Sequence, residues 1–216
     1  MKNCTFCSRL IDYHEIIECI TGALDAKDPY TAGHSQRVSD IALKICRLMG
    51  LRDDVTDKIH IAAHLHDIGK IGIPDAILNK KEKLNEREWE VIKTHPQLGA
   101  DILSRSAHLA EMNDIILYHH ERFDGLGYPA GLKGERIPLG ARIIAICDSI
   151  DAMASNRVYR RAYSLEYCYL EIEKNLGMMY DPAIGGFVLK HWQDIVTNYF
   201  FRRESNPVRH DVIVAQ

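Results

Sequence analysis

No run of apolar residues in this sequence is long enough to cross a membrane. Charged side chains break each run well short of the roughly 20 residues that a spanning helix needs. The N-terminal stretch MKNCTFCSRLIDYHEIIE has no uninterrupted apolar core either. That argues against a secretory signal, and a cytoplasmic protein is expected. Positive charge is not in excess: 27 Lys and Arg stand against 30 Asp and Glu, for a net charge of −3. General binders of nucleic-acid polymers or anionic membranes are normally basic, so both classes lose ground. A disulfide framework is not expected, because Cys4, Cys7, Cys19, Cys46, Cys147 and Cys168 occur without a secretion signal and read as reduced thiols. Cys4 and Cys7 form a lone C-x-x-C, better taken as two incidental thiols than as a metal or redox motif. Low-complexity tracts, internal repeats and convincing alternating strands are also missing.

What is present is helical periodicity in a chain of ordinary composition, 46% hydrophobic and 26% charged over 216 residues. That length suits one domain with a short appendage and allows a real core. From His34 the apolar positions are Val38, Ile41, Ala42, Ile45, Leu48 and Met49, with Gly50 as a stop. A second helix carries Val55, Ile59, Ala62, Ala63 and His66 and ends near Gly69. Asn85 with Glu88 has the spacing of a capping box, opening a helix that Pro96 closes. Ser106 is placed to cap a helix with Leu109, Met112, Ile116 and His119 on one face. Pro138 fits the first turn of a helix through Ile143, Ile144, Cys147 and Ile150. Residues 163–176 and 181–203 complete the set, while 71–84 and the glycine-rich 121–137 read as connectors. The expected class is all-α, a bundle of about seven helices. Residues 1–27 would be a helical extension, 28–203 the main domain and 204–216 a loose tail.

The chemistry sits in the histidines. His34, His66 and His119 fall where the helical pattern calls for apolar residues, and His95 and His120 lie close by in sequence. One such histidine is more often a hydrogen-bonded core residue than a ligand. Three on inward faces are different, since each unsatisfied buried imidazole costs roughly 1–3 kcal/mol. Asp67 beside His66, and Asp148 on the inward face of a later helix, add carboxylates that need a cation nearby. His34, His66, Asp67, His95, His119, His120 and Asp148 together suit iron, manganese, zinc, nickel or copper rather than magnesium or calcium. Two divalent cations would leave the site net positive and attractive to phosphate diesters. His14, His60, His64, His108, His191 and His210 have no motif around them and read as structural or surface residues.

Two signatures give these residues a family context: HLHDIGKIGIP at 64–74 and HHERFDGLGYP at 119–129. DPYTAGHSQRV at 28–38, THPQLGADIL at 94–103 and ARIIAICDSIDAMASNRVYR at 141–160 support them. Over about residues 28–175 the chain resembles the HD-GYP phosphodiesterases, a branch of the HD hydrolase superfamily. The resemblance implies an HD-domain helical bundle, with 28–203 as the catalytic domain. It implies hydrolysis of cyclic di-GMP to pGpG, and onward to GMP, by a metal-bridging hydroxide. His34, His66, Asp67 and Asp148 would hold one metal and Asp67, His95, His119 and His120 the other, with Asp67 bridging. Iron or manganese heads the list of ions, followed by zinc and nickel. A third metal in some members uses a glutamate one turn before the first histidine; Tyr30 stands there in this chain, so two ions are expected.

The resemblance makes Asp67 and Lys70 the catalytic pair, with Lys70 on the substrate phosphate. Tyr128, Asp28, Asp151, Arg157 and Arg160 become substrate-side or supporting residues. Cyclic di-GMP is the expected partner, with a regulatory protein, a diguanylate cyclase or a second copy of the chain as compatible macromolecular partners. Other readings keep the site and change its use: an HD phosphohydrolase for another cyclic or linear nucleotide, or a non-catalytic cyclic di-GMP sensor.

Overall fold

The computed structural model describes residues 13–28, 32–156 and 161–197. Among these are ten α-helices and no strand, only one isolated bridge between Leu176 and Tyr180. They are α1 (Tyr13–Lys27), α2 (His34–Leu48), α3 (Asp53–Leu65), α4 (Asp75–Leu78), α5 (Glu86–Ile92), α6 (His95–Leu103), α7 (Asn113–Leu117), α8 (Leu139–Ala154), α9 (Leu165–Lys174) and α10 (Pro182–Lys190). Seven of them, α1, α2, α3, α6, α8, α9 and α10, have nine residues or more. The three short ones account for the difference from the expected count. No helix of the described residues is long and apolar enough to cross a membrane.

Helix α8 is the hub. Ile143, Ile144, Ile146, Cys147 and Ile150 are fully buried on several of its faces, so it is enclosed rather than amphipathic. Val38, Ile41, Ala42 and Ile45 of α2 and Ile59, Ala62 and Ala63 of α3 join it in one continuous core. Each such isoleucine contributes about 1.5–3 kcal/mol of burial. Helix ends follow local chemistry. Gly50, at φ 67°, takes the left-handed conformation just past α2. Asn85 and Glu88 form the expected reciprocal capping box on α5. Asp181 accepts from the amides of Ala183 and Ile184 at the start of α10, with Pro182 in its first turn.

Several boundaries differ from the sequence expectation. α5 stops at Ile92, and Pro96 instead lies in the first turn of α6, where its missing N–H costs nothing. The helix expected after Ser106 divides into a 3₁₀ turn, Leu109–Met112, and the five-residue α7, which leaves His119 beyond the helix end. The connector at 71–84 contains the end of a 3₁₀ turn, Ile68–Gly72, and α4. α10 ends at Lys190 and helical residues resume at 192–197; 198–203 lie outside the described residues.

The largest consequence concerns His66 and Asp67. The sequence places both on a helix ending near Gly69, but α3 ends at Leu65. His66 is its C-cap and Asp67, at φ −96° and ψ 3°, is the joint to the 3₁₀ turn. That sparsely populated backbone region often holds active-site residues. Gly69, two residues on, makes the joint fit. A Cβ built there would lie 1.8 Å from the carbonyl oxygen of His95. Glycine thus brings the turn carrying Asp67 directly against the start of α6, which carries His95.

Candidate metal centre

Five side chains meet in the interior: Asp67, His34, His66, His95 and His119, none more than 4% exposed. His120 and Asp148 are half-buried on the solvent side of the same group. Asp67 is the centre. Its Oδ1 lies 3.4 Å from His95 Nε2, and its Oδ2 lies 3.5 Å from His66 Nε2 and 3.9 Å from His34 Nε2. His34 Nε2 is 3.2 Å from Asp148 Oδ1. The rings of His95 and His120 have centroids 4.9 Å apart, and those of His119 and His120 4.0 Å. Two donor groups emerge, Asp67–His95–His119–His120 and His34–His66–Asp67, with Asp67 common to both.

The backbone fixes which nitrogen faces inward. Nδ1 of His66, His95 and His119 donates to the carbonyl oxygens of Ala63, Ile92 and Ile116, at 2.8, 2.8 and 2.6 Å. Each acceptor is three residues earlier in the chain. Every Nε2 of the three is therefore a lone pair when the ring is neutral. His66 Nε2 is buried with no hydrogen-bond partner. His95 Nε2 and His119 Nε2 face each other at 3.3 Å, lone pair to lone pair. Such an array, aimed at a carboxylate, is repulsive unless a cation stands among its members. The donor set therefore fits transition-metal ions, with imidazole and carboxylate in the proportion they favour.

Electrostatics agree. Burial holds His95 and His119 below the usual histidine value and brings His120 to about 4, so these rings are neutral at pH 7. His34 runs the other way. Burial opposes its charge, but Asp148 and Asp151 outweigh burial and raise it to about 9. Burial would raise Asp67, yet Lys70 and the surrounding histidines hold it well below the carboxylate range. Asp148 is likewise held low against burial, chiefly by its contact with His34. Opposed shifts of this kind within one cleft are typical of functional sites.

The supporting residues divide into those the structure brings to the centre and those it places elsewhere. Lys70 Nζ donates to Asp67 Oδ2 at 2.6 Å and lies 3.7 Å from Asp28 Oδ2, which is itself buried. Tyr128 stacks on His120, ring centroids 4.8 Å apart. Asp151, expected on the substrate side or in support, is fully buried and accepts from His34 Nδ1 at 2.6 Å. This carboxylate–imidazole contact orients His34 with Nε2 inward. Arg157, Arg160 and Tyr30 lie outside the described residues. Arg37 was missed. Its guanidinium grips both oxygens of Asp151, at 2.6 and 3.1 Å, and so fixes the group that fixes His34. Its position one turn after His34 was the available signal. Glu121, buried, accepts from the amides of Ala130 and Leu132 at 2.7 and 3.0 Å and closes the glycine-rich loop upon itself.

With that geometry in place, comparison with known proteins is decisive for the family: a model of the HD domain matches residues 18–184. The chain belongs to the HD domain family, in its HD-GYP branch. HD domains are metal-dependent, in keeping with the donor groups around Asp67. This HD domain is 41% identical over 194 residues to a cyclic di-GMP phosphodiesterase of Thermotoga maritima, covering 89% of this chain and 52% of that one. It is 35% identical over 184 residues to a 3′3′-cGAMP-specific phosphodiesterase of Vibrio cholerae, covering 84% and 35%. The chain thus spans about half of the first relative and about a third of the second. A crystal structure of a cyclic GMP-AMP specific phosphodiesterase from Vibrio cholerae shares the fold, with a TM-score of 0.67 at 22% identity over 88% of this chain and 50% of that one.

Proposed function

We propose that this HD domain is a metal-dependent phosphodiesterase that hydrolyses cyclic di-GMP to pGpG, and pGpG onward to GMP. The observation that carries the reading is the convergence of Nε2 atoms from His34, His66, His95 and His119 on the single carboxylate of Asp67. In this reading His34, His66, Asp67 and Asp148 hold one ion and Asp67, His95, His119 and His120 a second. Iron or manganese is what the family resemblance favours, and the mixed imidazole and carboxylate set suits iron, manganese, zinc, nickel or copper. When bound, the ions supply Lewis acidity, which lowers the pKa of water and offsets charge on a phosphate diester.

The chain's own residues do the rest. Asp67 holds both halves of the centre together and keeps Lys70 beside it. Lys70, in contact with two carboxylates, presents its ammonium at the rim for a non-bridging phosphate oxygen. The recess beside His119, His120 and Asp148 holds about 70 Å³, against about 300–1,000 Å³ for pockets that enclose a drug-sized ligand. Tyr128 and the exposed Trp89 and Leu126 lie beside it and offer stacking area for a base. The favour for cyclic di-GMP over other dinucleotides rests on the Thermotoga maritima relative.

The test is cyclic di-GMP turnover, with products identified and metal content measured, for the wild type and for a double change, His66→Ala with Asp67→Ala. Loss of hydrolysis together with the metal held around Asp67 is expected, and hydrolysis retained by the variant would refute the reading. Cyclic GMP-AMP is the second candidate, since a 35% identical relative is named for it. The ratio of kcat/KM for the two dinucleotides decides between them.

A further inference from the structure

Away from this centre, His14 of α1 and His60 and His64 of α3 form a third group whose ligand atoms all lie within 4.8 Å of one another. We propose that these three histidines form a separate transition-metal site that clips α1 to α3. His60 and His64 are four residues apart, hence on one face of α3, and that face looks toward α1. His66 is two positions beyond His64, where side chains do not share a face, so the two sites are distinct.

His64 is the observation that demands a ligand. It is 0% exposed, and neither Nδ1 nor Nε2 has a hydrogen-bond partner. Its neighbours are two more imidazoles, ring centroids 4.8 Å away for His60 and 5.1 Å for His14. His60 Nδ1 donates to the Ser39 carbonyl at 3.1 Å, which turns its Nε2 lone pair toward the group. That atom lies 3.3 Å from His14 Nε2. Zinc–nitrogen bonds of about 2.0–2.1 Å at tetrahedral angles place two ligand nitrogens about 3.3 Å apart. Glu18, one turn after His14, has Oε1 3.4 Å from His14 Nδ1, the carboxylate–imidazole relation that turns Nε2 toward a metal. A simple hydrogen bond between His14 and His60 would satisfy those two rings and leave His64 with nothing. A cation serves all three. Three imidazoles favour zinc, cobalt, nickel or copper.

The probe is zinc or cobalt added to the full chain, with metal per chain measured after gel filtration. The wild type should hold one equivalent more than a variant with His60→Gln and His64→Leu, and only the wild type should show the visible absorption of tetrahedral cobalt. Dinucleotide turnover by that variant should be unchanged. His14→Ala, on a half-exposed position of α1, guards against misfolding. It should weaken this one equivalent by more than the roughly 100-fold that loss of a mere supporting residue can cause. In the His66→Ala, Asp67→Ala variant, one equivalent should persist. Equal stoichiometry and equal cobalt spectra in the wild type, the double variant and His14→Ala would overturn the proposal. So would a His66→Ala, Asp67→Ala variant that binds none.

Discussion

Segment 64–74 is fixed by close packing. Gly69 lies so near the start of α6 that no side chain fits, and Ile68 and Leu65 are buried on either side of the Asp67 joint. Segment 119–129 is fixed by polar ties. The buried carboxylate of Glu121 accepts two loop amides, Gly127 backs onto Glu121 itself, and Tyr128 rests on His120. Both segments supply histidines to one centre. The first is a scaffold that cannot give way without moving α6. The second is a loop tied by the Glu121 carboxylate together with backbone bonds from Phe123 and Asp124 to the carbonyls of Met179 and Met178 and from Tyr128 to that of His120.

That contrast can be broken by substitution. Gly69→Ala should have the largest effect: the added methyl meets backbone, so at least about 3 kcal/mol of stability is lost and the metal content falls with it. Thermal unfolding and metal analysis check this, and a Tm within a degree of the wild type would disprove the packing argument. Asp151→Asn should come next. His34 loses its orienting carboxylate, so metal affinity falls about 10–100-fold and activity returns when metal is supplied in excess. Glu121→Gln should leave metal content intact and raise KM about tenfold. It weakens charge-assisted bonds, worth about 1.5–3 kcal/mol, that shape the loop but touch no ligand nitrogen. A variant that loses metal instead would show that loop and centre are one unit. Asn85→Ala should be mildest, costing about 1 kcal/mol in the unfolding midpoint through the lost cap, with turnover unchanged.

How far the sequence reached depended on the range of the interaction involved. Long helices were legible because Val38, Ile41, Ala42 and Ile45, or Ile143, Ile144 and Cys147, repeat at helical spacing over several turns. α4 and α7, at four and five residues, are shorter than any periodicity can register. Pro96 was read as a stop when it is a start, because proline suits either side of a helix boundary. The meeting of five histidines with Asp67 was anticipated through motif and family likeness. The reason it works, a helix ending one residue before the HD pair, needed coordinates. Arg37, one turn after His34, offered only its position as a signal, and His64 read as structural or surface. The first matters because Asp151, 114 residues later, folds against it; the second because α1 leaves it without a partner.

The three imidazole-to-carbonyl bonds at His66, His95 and His119 have an evolutionary corollary. A main-chain oxygen survives every amino-acid replacement, so no drift in neighbouring side chains can turn those rings around. In the proposed centre, ion preference is open to retuning where a side chain sets the geometry: at Asp67, at Asp148, at His120 against Tyr128, or through the Asp151–Arg37 pair behind His34.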